Sequence, residues 1–185
     1  NGWFVTAALL LSVVTYIDDL KPLTPKLRLL VQFSSVLLMF ADLSVYNFPV
    51  WLIVLMLIVS TGVMNATNFM DGINGMLGMM SMVVLGSLLY INLFVVHFTD
   101  SNLIILLLMS VVIFNFFNFR IRAVCFAGDV GSFTIGISLV FLISKLIIAT
   151  GNLAWIGMLA VFGVDTLLTI VHRIILGENL TLPHR

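Results

Sequence analysis

The sequence predicts an all-α fold, a polytopic membrane bundle of about seven transmembrane helices. Three observations predict it. Of the 185 residues, 62% are apolar and only 9% charged, whereas a soluble domain carries about a quarter charged residues. Mean hydropathy is +1.24, so the chain cannot cover itself with a water-compatible surface and needs lipid as solvent. The apolar residues also fall in continuous runs rather than the alternation of a barrel strand. Helix is then the conformation that satisfies the backbone in hydrocarbon.

The runs, in order, are Trp3–Tyr16, Leu27–Ala41, Val50–Met64, Ile73–Asn92, Asn102–Phe119, Ser132–Thr150 and Leu153–Val171. Two of them are near the short limit for crossing ~30 Å of hydrocarbon at about 1.5 Å per residue. No internal repeat or low-complexity linker interrupts them, so residues 1–185 read as a single membrane domain. The chain starts at Asn1, without Met, almost directly in an apolar run, and is expected to be a fragment of a longer protein. Its first run lacks the basic start and small-residue cleavage site of a secretion signal. The single cysteine, Cys125, excludes an internal disulfide.

Seven spans define two sets of alternating loops. One set comprises Asp18–Lys26, Asn65–Gly72, Arg120–Gly131 and the tail from His172; the other comprises Asp42–Pro49, Leu93–Ser101 and Gly151–Asn152. Of the 8 basic residues, Lys21, Lys26, Arg28, Arg120, Arg122, Arg173 and Arg185 lie in or beside the first set. The remaining one, Lys145, sits late in the sixth run, where it can snorkel outward. The positive-inside rule therefore puts the first set in the cytosol.

The chemistry-bearing residues follow the same division. Asp18 and Asp19 lie in the first loop of the cytosolic set, and Asn65, Asn68 and Asp71 in the second. Asp129, inside Gly-Asp-Val-Gly-Ser, lies in the third, and His172, Arg173, His184 and Arg185 in the fourth. The carboxylates of the opposite loops are Asp42 and Asp100, each beside ordinary turn residues. Singly, each element has a structural explanation. The Asp18-Asp19 pair suits a helix end meeting water, Asn65, Asn68 and Asp71 suit polar glue between helices, and Asp129 suits an N-cap. The His-Arg tail suits a patch for lipid headgroups. Four such elements on one face are poorly explained by packing alone.

Hard carboxylate oxygens at a water interface suit Mg²⁺, with Mn²⁺ as a substitute, rather than zinc. Arg and His beside them can neutralise phosphate oxygens. A divalent ion with cationic clamps is the equipment for transfer at phosphorus, and no Walker loop or kinase motif set is present. The apolar bulk points to a lipid as one substrate. Two other classes are weighed against this reading. A transporter would place its charges near the bilayer midplane, where Asp165 alone lies deep within a run. A non-catalytic membrane subunit would not need this set of acids and amides.

The ordered set Tyr-Ile-Asp-Asp-Leu (16–20), Asn-Ala-Thr-Asn-Phe-Met-Asp-Gly-Ile-Asn-Gly (65–75), Phe-Ala-Gly-Asp-Val-Gly-Ser (126–132) and His-Arg…Pro-His-Arg (172–185) resembles the polyprenyl-phosphate N-acetylhexosamine-1-phosphate transferases, glycosyltransferase family 4. The resemblance implies that a polyprenyl phosphate, such as undecaprenyl phosphate, attacks the β-phosphate of a UDP-sugar. UMP is released and a polyprenyl-diphosphate sugar is formed. It further implies catalytic roles for Asp18, Asp19, Asp71 and His184, with Asp18 as candidate base. Asn65, Asn68, Arg173 and Arg185 become substrate contacts, and Asp129 the Mg²⁺-binding residue. Asn74 stands where many members have a second Asp; it keeps an acceptor oxygen but loses a charge. Arg122 stands where many have Pro. Members have about ten or eleven spans, so further helices are expected outside this chain. The implied partners are the lipid phosphate, a UDP-N-acetylhexosamine and the membrane, with no nucleic acid and with a homodimer left open. The implied place is the bacterial plasma membrane, with the site facing the cytosol. The tail resembles the branch that starts O-antigen and related surface polysaccharides more than the peptidoglycan branch.

Overall fold

A computed structural model describes residues 2–177. Those residues form seven α-helices and no strand: α1 (Gly2–Leu20), α2 (Pro25–Asp42), α3 (Val50–Met70), α4 (Met76–Phe94), α5 (Ser101–Asn118), α6 (Gly128–Thr150) and α7 (Ala160–Ile175). Short 3₁₀ turns, Val45–Asn47 and Leu153–Leu159, follow α2 and precede α7. The chain is a polytopic helical membrane protein. Six segments are long and apolar enough to cross a bilayer; the last of them joins the second 3₁₀ turn to α7 as Leu153–His172.

The helix α2 falls outside those six because Lys26 and Arg28 stand at its start and Asp42 at its end. Its packing nevertheless fixes its course. Arg28 Nε lies 2.7 Å from Asp18 Oδ2 near the end of α1, and Asp42 Oδ2 accepts the Phe4 N–H at 2.7 Å near its start. Both intervals run fourteen residues, about 21 Å of helix. The two helices are therefore antiparallel over the same depth, and α2 crosses wherever α1 does. A proline at its first helical position, after the extended Thr24, starts it where a missing N–H costs nothing.

At the centre of the bundle lies α6. It is apolar on every side, as a helix enclosed by others must be, and it buries Ile137, Leu139, Val140, Phe141, Leu142, Ile143 and Leu146. Around it pack α1, α3 and α4, while α5 lies on α4 and α7 on α3. Lipid tails are as apolar as leucine, so close approach and polar pairs have to hold these helices together. Phe4 stacks on Phe141 at 4.1 Å, and the Ser12 and Thr134 hydroxyls meet at 3.0 Å, joining α1 to α6. Against α3, a Cβ at Gly136 would lie 2.5 Å from Thr67 Oγ1 and 3.0 Å from the Met64 Cα, so only glycine admits this contact. The Thr67 hydroxyl spans the seam to Ser132 O at 3.0 Å.

The two ends of the bundle differ in kind. At one end, which also bears the exposed His97, Trp3 and Trp51 begin their helices and Trp155 follows α6. That is the placement of an aromatic belt at a membrane surface. There Asn92 binds the Phe98 and Thr99 N–H groups through its oxygen. Lys145 extends along the Phe141 ring to Thr99 Oγ1 at 3.3 Å, the outward reach expected for it. The opposite end gathers the polar motifs around Asp18, Asn65 and Asp129, and the boundaries there differ from expectation. Helix α1 continues through Asp18-Asp19, α3 runs six residues past Met64, and Asp129 falls in the first turn of α6. What reads as polar loop is largely helix end, where unpaired backbone groups need polar partners.

Candidate active site

At the end of α1 the two aspartates point to different tasks. Asp18 is 5% exposed. Its Oδ1 accepts the Leu23 N–H at 2.6 Å and its Oδ2 holds Arg28. Both oxygens are thus committed to the α1–α2 turn. Asp19 is exposed, and its Oδ2 lies 3.9 Å from where a Gly128 Cβ would stand. The like charges of Asp129 and Asp18 act on it, opposed by Arg28.

The last turns of α3 supply three more groups. Asn65 Nδ2 donates to Gln32 Oε1 at 3.0 Å and to Thr61 O at 2.8 Å, tying α3 to α2. One turn on, Asn68 Nδ2 donates to Asp129 Oδ1 at 3.1 Å. Asp71 closes the helix and reaches across to α6, where Oδ1 accepts the Ala127 N–H at 3.1 Å and Oδ2 the Gly128 N–H at 2.8 Å. These N–H groups open a helix and have no partner within it, so Asp71 caps α6 from a neighbouring element. Burial pushes the Asp71 carboxyl above its ordinary range; the two N–H donors pull the other way, and the Asp129 charge adds to the rise.

Asp19, Asp71 and Asp129 thereby converge on one peptide, Gly128, at the N-terminus of α6. The helix dipole there favours negative charge, which offsets part of the repulsion among them. Asp129 Oδ2 accepts no hydrogen bond among the described residues. No group of three His, Cys, Asp or Glu side chains among the described residues forms a ready cage for a metal. The donor set fits Mg²⁺ in a different manner. That ion binds through one or two carboxylates and completes its shell with water and substrate phosphates, and Asp129 and Asp19 present hard oxygens of this kind.

The turn after α3 is fastened to the α5–α6 loop. Gly75, at φ +78°, donates its N–H to Asn118 Oδ1 at 2.6 Å. Asn118 Nδ2 donates onward to Cys125 O at 2.8 Å. Asn74 Nδ2 donates to Arg120 O at 3.0 Å and to Ile121 O at 3.3 Å.

The structure brings Asp18, Asp19, Asn65, Asn68, Asp71 and Asp129 to one end of the bundle. It does not join His172 to them: His172 is exposed on α7, with neither a hydrogen bond to these residues nor one to Asp165. Arg173 lies in α7, and its side chain is outside what the structure describes, as are His184 and Arg185 altogether. Three residues of this region were missed by the sequence reading. Arg28 and Gln32 are polar residues one turn apart in the first half of α2, a spacing that puts both on one face. Asn118, 1% exposed, stands in Phe-Asn-Phe-Phe-Asn-Phe, where two amides in an apolar run signal internal hydrogen bonds.

Comparison with known proteins adds a relationship to this geometry. A curated protein of Methanocaldococcus jannaschii, named "Putative glycosyltransferase", is 28% identical over 142 residues, which cover 74% of this chain and 45% of that protein. The chain thus spans about half the length of this relative. No solved structure matches the chain. The glycosyl transferase family 4 profile matches residues 2–149, a stretch that contains all of the polar groups converging on Gly128. By that match over most of its length, the chain belongs to glycosyl transferase family 4.

Proposed function

We propose that the complete protein transfers an N-acetylhexosamine 1-phosphate from a UDP-sugar to polyprenyl phosphate at the cytosolic face of the plasma membrane. The product, a polyprenyl-diphosphate sugar, opens the synthesis of a surface polysaccharide or wall polymer, with N-acetylglucosamine the first choice of sugar. The observation that carries the reading is the convergence of Asp19, Asp71 and Asp129 on the N-terminus of α6, beside Arg28. This is an anionic cluster at one end of the bundle, suited to a divalent ion and phosphates.

In this reaction an oxygen of the lipid phosphate attacks the β-phosphorus of the donor. The bond from that phosphorus to the bridging oxygen breaks, and UMP leaves with the electron pair. Mg²⁺, when bound, neutralises the diphosphate charge; Asp129 and Asp19 are the residues that would hold it. Asn68 fixes the Asp129 carboxylate through Oδ1, and Oδ2 would be the oxygen available to an ion. Asp71 fixes the helix that carries Asp129. Asp18 was the candidate base, but both its oxygens are engaged, so we assign it the holding of Arg28. The lipid phosphate is largely ionised at neutral pH and needs positioning more than deprotonation. Arg28 meets Asp18 through Nε at 2.7 Å, and its terminal amino groups would serve a phosphate. Roles for His184, Arg173 and Arg185 on the donor diphosphate rest on the family resemblance alone.

A donor labelled in its β-phosphate tests this reading. Membranes carrying the full-length protein should move the label into the lipid extract when polyprenyl phosphate is present. Label that stays in UDP while sugar enters the lipid would mean plain glycosyl transfer and overturn the proposal.

A further inference from the structure

Residues 119–127 carry the chain from the end of α5 to the turn that bears Asp129, and the segment is tied down at intervals. Asp71 binds its last amide and the next one along, at Ala127 and Gly128. Asn118 binds Cys125 O, and the Val124 N–H returns to Phe117 O at 3.1 Å. At 120–122 the ties to α5 are those of Arg120, whose N–H meets Asn118 O at 2.8 Å and whose Nε meets Phe116 O at 3.1 Å. Ile121 is fully exposed, and Arg120 turns back over the Phe116 ring, its guanidinium 5.0 Å away. The side chain that reaches this stretch from the α3–α4 turn is Asn74, whose amide meets two successive carbonyls.

We propose that Asn74 is a positioning residue whose amide latches the 119–127 loop to the α3–α4 turn and so sets where Asp129 is delivered. The functional half of this inference rests on the phosphotransferase reading; the latch itself does not. An amide is the group the geometry requires. Its NH₂ offers two hydrogens and serves two carbonyls at once, whereas an ionised carboxylate of the same size has acceptors only. Aspartate at this position would set a negative charge against two carbonyl oxygens. Alanine would remove the donor and add no charge. Both changes should therefore release the loop, aspartate at least as strongly. A residue serving as metal ligand or base gives the opposite order, with aspartate the gain and alanine the loss.

The test uses the full-length protein with Asn74→Asp and Asn74→Ala, and two readouts. Hydrogen exchange over residues 119–128 should quicken by about tenfold in both variants, as expected when two hydrogen bonds that restrain a local opening are lost. It should do so at the Val124, Ala127 and Gly128 amides, whose acceptors are Phe117 and Asp71 rather than Asn74. In UMP release, the KM for the UDP-sugar and the Mg²⁺ concentration for half-maximal rate should both rise severalfold. Unchanged exchange in both variants would overturn the latch. Faster exchange with unchanged KM and Mg²⁺ dependence would overturn the positioning role. An Asn74→Asp protein that outperforms wild type while Asn74→Ala fails would make the position a ligand and overturn both. If wild type released no UMP at all, the phosphotransferase reading would fall, and the exchange data would still decide the latch.

Discussion

Asp129 is the residue on which the proposed chemistry depends most. Its replacement by Asn conserves volume and the contact with Asn68 but removes the charge that holds a divalent ion. Loss of metal stabilisation in phosphoryl transfer costs several kcal/mol, and each 1.36 kcal/mol is about tenfold in rate. Asp129→Asn should therefore lower UMP release at least about a hundredfold with membrane insertion intact; near-normal release with ordinary Mg²⁺ dependence would place the ion elsewhere. The aspartate pair of α1 offers a second contrast. Asp18→Ala strips partners from a buried turn, the Leu23 N–H and Arg28, and should cost about 1–3 kcal/mol of stability. Asp19→Asn alters an exposed side chain and should leave melting unchanged while transfer falls. Equal melting temperatures for the two variants would contradict this division of labour. The sequence exposed both aspartates and grouped them with the other polar motifs, because charge in an apolar chain is conspicuous. It did not separate their roles, since that separation is made by Arg28, an arginine ten residues on along another helix. Gln32 and Asn118 stayed hidden for the same reason: an amide buried between helices is recognised by its partner, and the partner is distant in sequence.

The helices themselves were legible as apolar runs, and their ends were not. Hydropathy falls wherever polar residues begin, so the reading stopped α3 at Met64, although the helix continues to Met70. Those extra turns matter. They place Asn65 and Asn68 one turn apart on a rigid surface and leave Asp71 as the helix cap facing α6. The turn that follows depends on Gly75. Its φ of +78° suits glycine, and an added Cβ would stand 2.1 Å from the Phe119 ring. Gly75→Ala should thus destabilise the protein by about 2–3 kcal/mol through backbone strain and displacement of that ring, seen as a lower melting temperature in detergent. A melting temperature equal to wild type would mean that the turn and the α5–α6 loop are not packed as described.

At the scale of the whole molecule, charge asymmetry and the pattern of contacts agree. The loops rich in Lys and Arg share one end of the bundle with the carboxylate cluster, and the tryptophans mark the other end. Cysteines placed at Lys21, Asn74 and Arg122 should accordingly react with impermeant reagents from the cytosolic side; labelling of any of them only from outside would break the single-site account. The apolar run Leu27–Ala41 reads as a span in the sequence although its terminal charges keep α2 out of the six most apolar segments, and the antiparallel contacts with α1 agree with that reading. The central claim, a membrane-edge site that joins a lipid phosphate to a nucleotide sugar, is met most directly by one measurement. Membranes bearing the full-length protein are supplied with a UDP-N-acetylhexosamine and Mg²⁺, with and without polyprenyl phosphate, and UMP is followed. The account predicts UMP release that requires the lipid phosphate and matches the polyprenyl-diphosphate sugar formed mole for mole. Release of UDP instead of UMP, or UMP release indifferent to the lipid, would contradict it.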